Sequence, residues 1–393
     1  MTAGRLDAPP FRETRRQPMS ALPCTTLREV FAATAEDSAA QEEIGFRVLR
    51  RGGDPFLFLP TDPHLGVAAL DLYPAQSAKA RLAKGLLRVA LRLGAPTGVE
   101  RCALRFGRGG AFVQFLARTA KLPAGELPRL AVLAGNPRTE GRRFVMLVFG
   151  ADDEPAAVVK AGTGDAARKL IAHETNFLQR IAARTPGVPV LCGTFASGVL
   201  DAFALDYFAG HPPRAQATPA LAELLGAWVS VGRVVTVREL PAWQRLLAAS
   251  ARAPLPPVVA AQGGRQCHAV LAHGDFAPWN VKVAQGRWTV LDWERGEPEG
   301  MPAWDWFHFL IQPMVLVRRD SVPALMARVE RLIVSDSFSR YARQTGVLGL
   351  EREWVLAYLG YCARVIRQAD GLDRIEALER ALIARWFPSG GRA

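Results

Sequence analysis

The stretch Val270-Leu271-Ala272-His273-Gly274-Asp275-Phe276-Ala277-Pro278-Trp279-Asn280, with Leu291-Asp292-Trp293-Glu294 downstream of it, decides how the rest of the chain is read. An apolar run leads into His273, and Gly274 and Pro278 force a loop that carries Asp275 and ends at Asn280. Two strands are predicted next, Val281–Val283 and Trp288–Trp293, around a two-residue turn at Gln285-Gly286. With that turn Asn280 faces Leu291 and Asp292 faces Trp279, so the hairpin brings Asn280 and Asp292 within one residue of each other. One anionic and one neutral oxygen ligand suit a Mg²⁺ that keeps waters and takes its other ligands from phosphates. Asp275, on the loop entering the hairpin, is then a carboxylate beside the metal, where it can orient an acceptor hydroxyl and take its proton. Taken singly, each Asp reads better as a turn or strand-end residue making local hydrogen bonds. The ordered set is what points to phosphoryl transfer.

The upstream half carries a second constellation. Leu130–Ala134, Arg143–Phe149 and Ala156–Lys160 read as three strands, followed by a helix with Asp165 at its N-cap and apolar residues to Ile181, then a strand Ala202–Tyr207. Lys160 ends an apolar strand in a chain with only six lysines. Leu170, Glu174, Phe177, Leu178 and Ile181 recur at helical spacing, which puts Glu174 on the buried face. A carboxylate there is costly without a cation. Lys160 is the expected partner, with His173 and Asp165 as competing neighbours. Gly135–Gly141 joins the first two strands where a phosphate-covering loop belongs, although it is not GxGxxG; no GxxxxGK[ST] occurs, so a P-loop site has no support.

His273-Gly274-Asp275 with Asn280, followed by Leu291-Asp292-Trp293-Glu294, resembles the aminoglycoside phosphotransferase and choline kinase-like family, whose members share the protein-kinase-like two-lobed fold. The resemblance is specific at 268–306, weaker over 128–393, and does not reach the first 125 or so residues. It implies Asp275 as catalytic base, Asn280 and Asp292 as metal ligands, and Lys160 with Glu174 as the pair that holds the nucleotide phosphates. It also implies that Asp206-Tyr207-Phe208 is the hinge whose backbone binds the purine, and that Asp305, with His273, supports the catalytic loop. The expected fold is α+β: a small antiparallel-sheet lobe (128–209), a mainly helical large lobe (210–393), and an extra N-terminal α/β segment (28–127) behind a flexible start (1–27). The expected activity is transfer of phosphate from ATP or GTP, with Mg²⁺, to a hydroxyl of a sugar, aminoglycoside or amino alcohol. A protein kinase and a non-catalytic nucleotide-binding protein are the alternatives. Only thirteen positions separate Asp292 from Asp305, little room for a peptide-docking loop, and Gly274 stands where protein kinases usually have Arg; Lys160, Asp275, Asn280 and Asp292 are all present, which disfavours the non-catalytic reading.

Composition narrows the classes further. A net charge of +12 invites a nucleic-acid partner. The excess is nearly all arginine in a chain rich in Ala and Gly, a whole-chain bias, and an anionic nucleotide would benefit from the same field. No apolar run reaches membrane-spanning length and the N-terminus lacks a signal h-region, so a cytoplasmic location is expected. The five scattered cysteines form no CxxC pair and read as free thiols. A helix from Ser77 to Leu93 carries Arg81, Lys84, Arg88 and Arg92 in one stripe, with Leu82, Leu86, Val89 and Leu93 on a neighbouring face. It reads as a packed surface helix, with a membrane-surface or anionic-partner role as the alternative. Trp279, Trp288, Trp293, Trp304 and Trp306 cluster near the site, as core packing or as a stacking wall for an acceptor.

Overall fold

The computed structural model describes residues 25–31, 41–73, 75, 78–94, 99–107, 109–135, 143–181, 185–214, 218–251 and 253–388. Of the expected flexible start (1–27), residues 1–24, Cys24 among them, lie outside them, as do residues 136–141 of the proposed phosphate-covering loop; residues 25–27 are the first of a helix, Thr25–Phe31, which corrects the expectation there.

The first half of the chain builds one sheet. Its strands are β1 (Gln41–Arg51), β2 (Asp54–Pro60), β3 (Glu100–Gly107), β4 (Arg129–Ala134), β5 (Arg143–Phe149), β6 (Pro155–Thr163), β7 (Leu191–Ala196) and β8 (Leu200–Asp206). They lie in the order β3-β1-β2-β4-β5-β6-β8-β7 with every neighbour antiparallel. The seam between the N-terminal strands and the rest is the pairing of Leu57 with Leu133 and Phe58 with Val132. The N-terminal region therefore extends the small-lobe sheet and leaves β4 an interior strand with no open edge.

Helices cover both faces, which is why β5 reads as a near-continuous apolar run. On one face α1 (Thr25–Phe31) and α4 (Ala111–Thr119) bury Leu27, Phe31, Phe112 and Leu116 against Phe46, Phe58, Val132, Met146 and Val159. On the other, α2 (Pro63–Ala69), a 3-10 turn at Leu70–Leu72 and α3 (Ala78–Arg92) pack on Leu57, Leu59, Ala131, Leu147 and Phe149. That second face continues to α5 (Asp165–Ile181), whose Ile171, Phe177 and Leu178 meet Phe203 and Leu205. A side chain at Gly162 would put its Cβ 2.9 Å from that of Ala167, so glycine there lets α5 close on β6.

The second half is mainly helical: α6 (Thr218–Ala227), α7 (Pro241–Ala249), α8 (Pro257–Ala260), α9 (Trp304–Gln312), α10 (Val322–Ile333), α11 (Asp336–Thr345), α12 (Glu351–Tyr361) and α13 (Leu372–Trp386). It also holds a small sheet that the sequence pattern did not predict, with β9 (Val229–Thr236), β10 (Gln266–Ala272) and β13 (Glu297–Gly300) in the order β13-β10-β9. The hairpin β11 (Val281–Ala284) and β12 (Arg287–Val290) completes the strands. The fold class is α+β, a small antiparallel-sheet lobe plus a helical large lobe, in agreement with the expected kinase-like plan. No helix among the described residues is long and apolar enough to cross a membrane. Cys192, Cys267 and Cys362 are free thiols, but Cys102 on β3 is disulfide-bonded, which corrects the expectation for that residue.

Several boundaries move. β6 runs on to Thr163, so Lys160 sits inside the strand, paired with Val145 and Phe203, and not at its end. Asp62 caps α2 with bonds to the amides of His64 and Leu65. Asp165 is the first residue of α5. The strand predicted to reach Trp293 stops at Val290.

Candidate active site

Lys160 turns inward from β6 and meets carboxylates from two other elements. Its Nζ donates to Glu174 Oε1 and Oε2 at 2.7 and 2.9 Å, and to Asp292 Oδ1 at 2.7 Å. Glu174 is 1% exposed, so its charge is supported only by close donors; besides Lys160 it accepts from the Trp293 N–H at 2.9 Å. Burial by itself lowers a lysine, but Asp292 and Glu174 outweigh it and hold Lys160 above its ordinary value. Burial raises Glu174 against the pull of Lys160. For Asp292 burial is overcome by Lys160, with help from Arg143, and the carboxyl falls to about 2. Arg143 itself pairs with Glu294, a second tie between the sheet and the segment after the hairpin. His173 is exposed and Asp165 lies at the start of α5, and neither takes the Lys160 position.

The loop at 273–280 is held by Asp305 and by the ring of His273. Asp305, at the start of α9, accepts from the His273 and Gly274 amides at 2.6 and 3.0 Å. His273 is fully buried, with Nδ1 accepting from the Asp275 amide at 3.2 Å and Nε2 at 2.8 Å from the Leu291 carbonyl. The carbonyl can only accept, so the hydrogen is on Nε2, and the ring ties the loop to the hairpin. Burial raises Asp305, with His273 opposing. Gly274 has φ +76° and its Cβ would lie 2.7 Å from the Arg295 carbonyl oxygen, so position 274 admits only glycine without rearrangement.

Asp275 faces away from that scaffold. Its Oδ1 accepts from His308 Nε2 at 3.0 Å, and His308 Nδ1 lies 3.2 Å from the Tyr358 hydroxyl, which also accepts from Gln312 at 3.3 Å. Burial raises Asp275, but His308, then Arg295 and His273, bring it below the ordinary value. Asn280 Nδ2 donates to the Asp275 carbonyl at 2.9 Å and to its Oδ2 at 3.2 Å. Sequence reasoning missed His308. The signal was present in its spacing of three from Asp305, which puts both on one face of α9.

The hairpin register is as expected from its turn: Val281 pairs with Val290, and the Leu291 amide donates to the Asn280 carbonyl at 2.7 Å. Asp292 follows in the left-handed region at φ 71°, where Asp is better tolerated than most side chains. The donor set fits Mg²⁺. Asn280 spends its amide nitrogen on Asp275, which leaves its carbonyl oxygen, and Asp292 engages Lys160 through one oxygen only. Two hard oxygen donors are too few to retain an ion alone and suit one that arrives with phosphates. Among the described residues no cluster of three or more His, Cys, Asp or Glu offers a competing site.

At the segment expected to be the hinge, β8 ends at Asp206, and the Tyr207 amide is already committed to the Ala156 carbonyl at 3.0 Å. The amides of Phe208 and Ala209 have no backbone acceptor among the described residues. His211 then pairs with Val283 through bonds of 3.2 and 2.8 Å, which pins the hinge exit to the hairpin. Tyr207 is raised by burial, then by the carboxylates of Asp71 and Glu154, so the turn between α2 and α3 reaches the hinge. Of the five clustered tryptophans, Trp293, Trp304 and Trp306 are buried in the core, Trp293 stacking on Phe177 with centroids 5.2 Å apart; Trp279 and Trp288 are half-buried. A cavity of about 480 Å³ adjoins the loop, walled by Gly274, Arg295, Arg245, Trp304, His308 and Tyr361.

No protein-family model matches the sequence, and neither does any curated protein. Solved structures do. One is a thermostable mutant of the aminoglycoside phosphotransferase APH(4)-Ia in complex with ADP and hygromycin B, at 14% identity over 72% of this chain and 99% of that one, TM-score 0.42. Choline kinase from Cryptosporidium parvum Iowa II matches at 10% identity over 70% and 94%, TM-score 0.42. A putative fructosamine-3-kinase from Haemophilus somnus 129PT matches at 12% over 69% and 96%, TM-score 0.41.

Proposed function

We propose that the chain is a phosphotransferase of the aminoglycoside phosphotransferase and choline kinase-like kind, moving the γ-phosphate of ATP or GTP to a hydroxyl of a small molecule. The observation that carries this reading is the position of Lys160, a buried cation shared by a helix carboxylate and the hairpin carboxylate Asp292. Such an ammonium is held in place before substrate arrives and can meet nucleotide phosphates without reorganising. Asn280 and Asp292 would hold Mg²⁺, which supplies charge neutralisation on the phosphates when bound. Phe208 and Ala209 offer amides to the base.

Asp275 would orient the acceptor hydroxyl and receive its proton as the new P–O bond forms and the bond from the γ-phosphorus to the β–γ bridging oxygen breaks, with the electron pair leaving on the nucleoside diphosphate. Its lowered pKa makes it a weak base, which suits a loose transition state that needs the proton removed late and the hydroxyl aimed early. His308 holds one carboxylate oxygen and Asn280 the other, so aim is the better-supported part of the role.

The test is a panel of sugars, aminoglycosides and amino alcohols with γ-labelled ATP and GTP, with Asp275→Ala in parallel. Transfer to one acceptor class should fall by about 10²–10⁴-fold in the variant while nucleotide binding persists. Label transfer within tenfold of the parent would remove Asp275 from the mechanism. Nucleotide binding without transfer to any acceptor would favour a non-catalytic protein.

A further inference from the structure

Helix α3 has two apolar faces and only one is covered. Leu87 and Leu91 belong to the cluster under the sheet, and Lys84 and Arg88 beside them bind Asp71 at 3.2 and 2.7 Å. On roughly the opposite side, by the 3.6-residue helical repeat, Leu82, Leu86, Val89 and Leu93 form one stripe. They are 66%, 65%, 53% and 77% exposed. No other element among the described residues concentrates exposed large apolar side chains in this way. Scattered exposed leucines need no explanation, but an ordered stripe does.

The charges of the helix indicate what covers that stripe. Every ionisable side chain on it is cationic: Lys79, Arg81, Lys84, Arg88 and Arg92. Lys79, Arg81 and Arg92 are exposed, flank the stripe and have no carboxylate in ion-pair range among the described residues. We infer that α3 is a docking face for a bilayer surface that carries anionic lipid. The stripe enters below the headgroups while the flanking cations meet their phosphates and the inner face stays anchored to the sheet. The net charge of +12 adds long-range attraction. A second copy of the chain would bring one cationic helix against another. The chain's own first 24 residues, with Arg5, Arg12, Arg15 and Arg16 against Asp7 and Glu13, carry the same sign of charge as the helix.

The experiment is co-sedimentation of the full chain with vesicles of phosphatidylcholine alone and of phosphatidylcholine mixed with phosphatidylglycerol. Binding is expected to the mixed vesicles only. It should weaken by about tenfold or more both in Leu82→Ser/Leu86→Ser and in Arg81→Glu/Arg92→Glu, since both insertion and charge are needed for stable attachment. The substituted side chains are exposed, so both variants should melt like the parent, which separates lost docking from lost folding. Absence of binding by the parent overturns the inference. So does binding that survives loss of the stripe, which would mean general attraction by a cationic surface. A dimer in light scattering that Leu82→Ser/Leu86→Ser converts to monomer would assign the stripe to a second copy instead.

Discussion

Strands β1–β3 and strands β4–β8 belong to one antiparallel sheet, yet they dispose of their charges in opposite ways. On β1–β3 charged side chains reach solvent and pair across the strands, Arg50 with Glu100 and Arg105 with Glu43, at 34–69% side-chain exposure. On β6 Lys160 turns under the sheet at 12% exposure, to meet a carboxylate that is 1% exposed. Exposed pairs are worth roughly 0–1 kcal/mol, whereas removing one member of a buried pair costs about 3–5 kcal/mol. The same sheet thus serves as scaffold where its charges are wet and as candidate site where they are dry.

The comparison breaks most severely if the scaffold half is dispensable. A chain starting at Pro128 would lose the partner strand of β4 and the cover supplied by Leu27, Phe46, Phe58, Phe106 and Phe112. Each buried apolar side chain contributes about 1.5–3 kcal/mol, so together they rival the whole stability of a domain. The shortened chain should aggregate or lack a cooperative melt; a melt matching that of the full chain would show an independent unit.

The next effect is at the site half. Lys160→Ala should destabilise by about 3 kcal/mol or more, since it leaves the buried Glu174 without its cation, and Glu174→Ala should cost less, since Lys160 keeps Asp292 at 2.7 Å. The double variant should cost far less than the sum, measured by denaturant unfolding. Additivity within about 0.5 kcal/mol would mean the two are not one unit.

A smaller effect lies in acid. Asp292 titrates at about 2 in the folded protein, below the ordinary aspartate value. A depressed carboxyl contributes stability that is present above the unfolded value and is lost as pH falls through the folded one. The parent should therefore lose more stability than Lys160→Ala between pH 4 and pH 2, with unfolding followed across that range. Parallel curves would detach Asp292 from Lys160. The smallest effect belongs to the scaffold: Arg50→Ala should change stability by no more than about 1 kcal/mol, since its pair with Glu100 is solvated. A loss as large as that at Lys160 would erase the contrast between the halves.

How much of this was readable in advance varied with the range of the interaction. The hairpin register follows from a two-residue turn, and β5 is legible with its observed ends because an apolar run bounded by breakers is a local signal. β9 was missed: most of its residues are exposed, so it carries no apolar alternation to read, and only its pairing with β10 makes it a strand. β1 and β3 gave no warning that they would continue the small-lobe sheet, since β-pairing between distant segments is specified by contact and not by composition.

From residue types and spacing alone came the loop from His273 to Asn280, the hairpin that returns Asp292 to it, and the demand of Glu174 for a cation, because turn chemistry and the helical repeat act over a few residues. Tertiary structure alone decided that Lys160 bridges Glu174 and Asp292 together, that His308 holds Asp275, and that α3 buries Leu87 and Leu91 while leaving Leu82 and Leu86 bare. An amphipathic pattern states which faces a helix has. Which face meets the sheet depends on the shape and charge of what it packs against, here Asp71 drawing in Lys84 and Arg88.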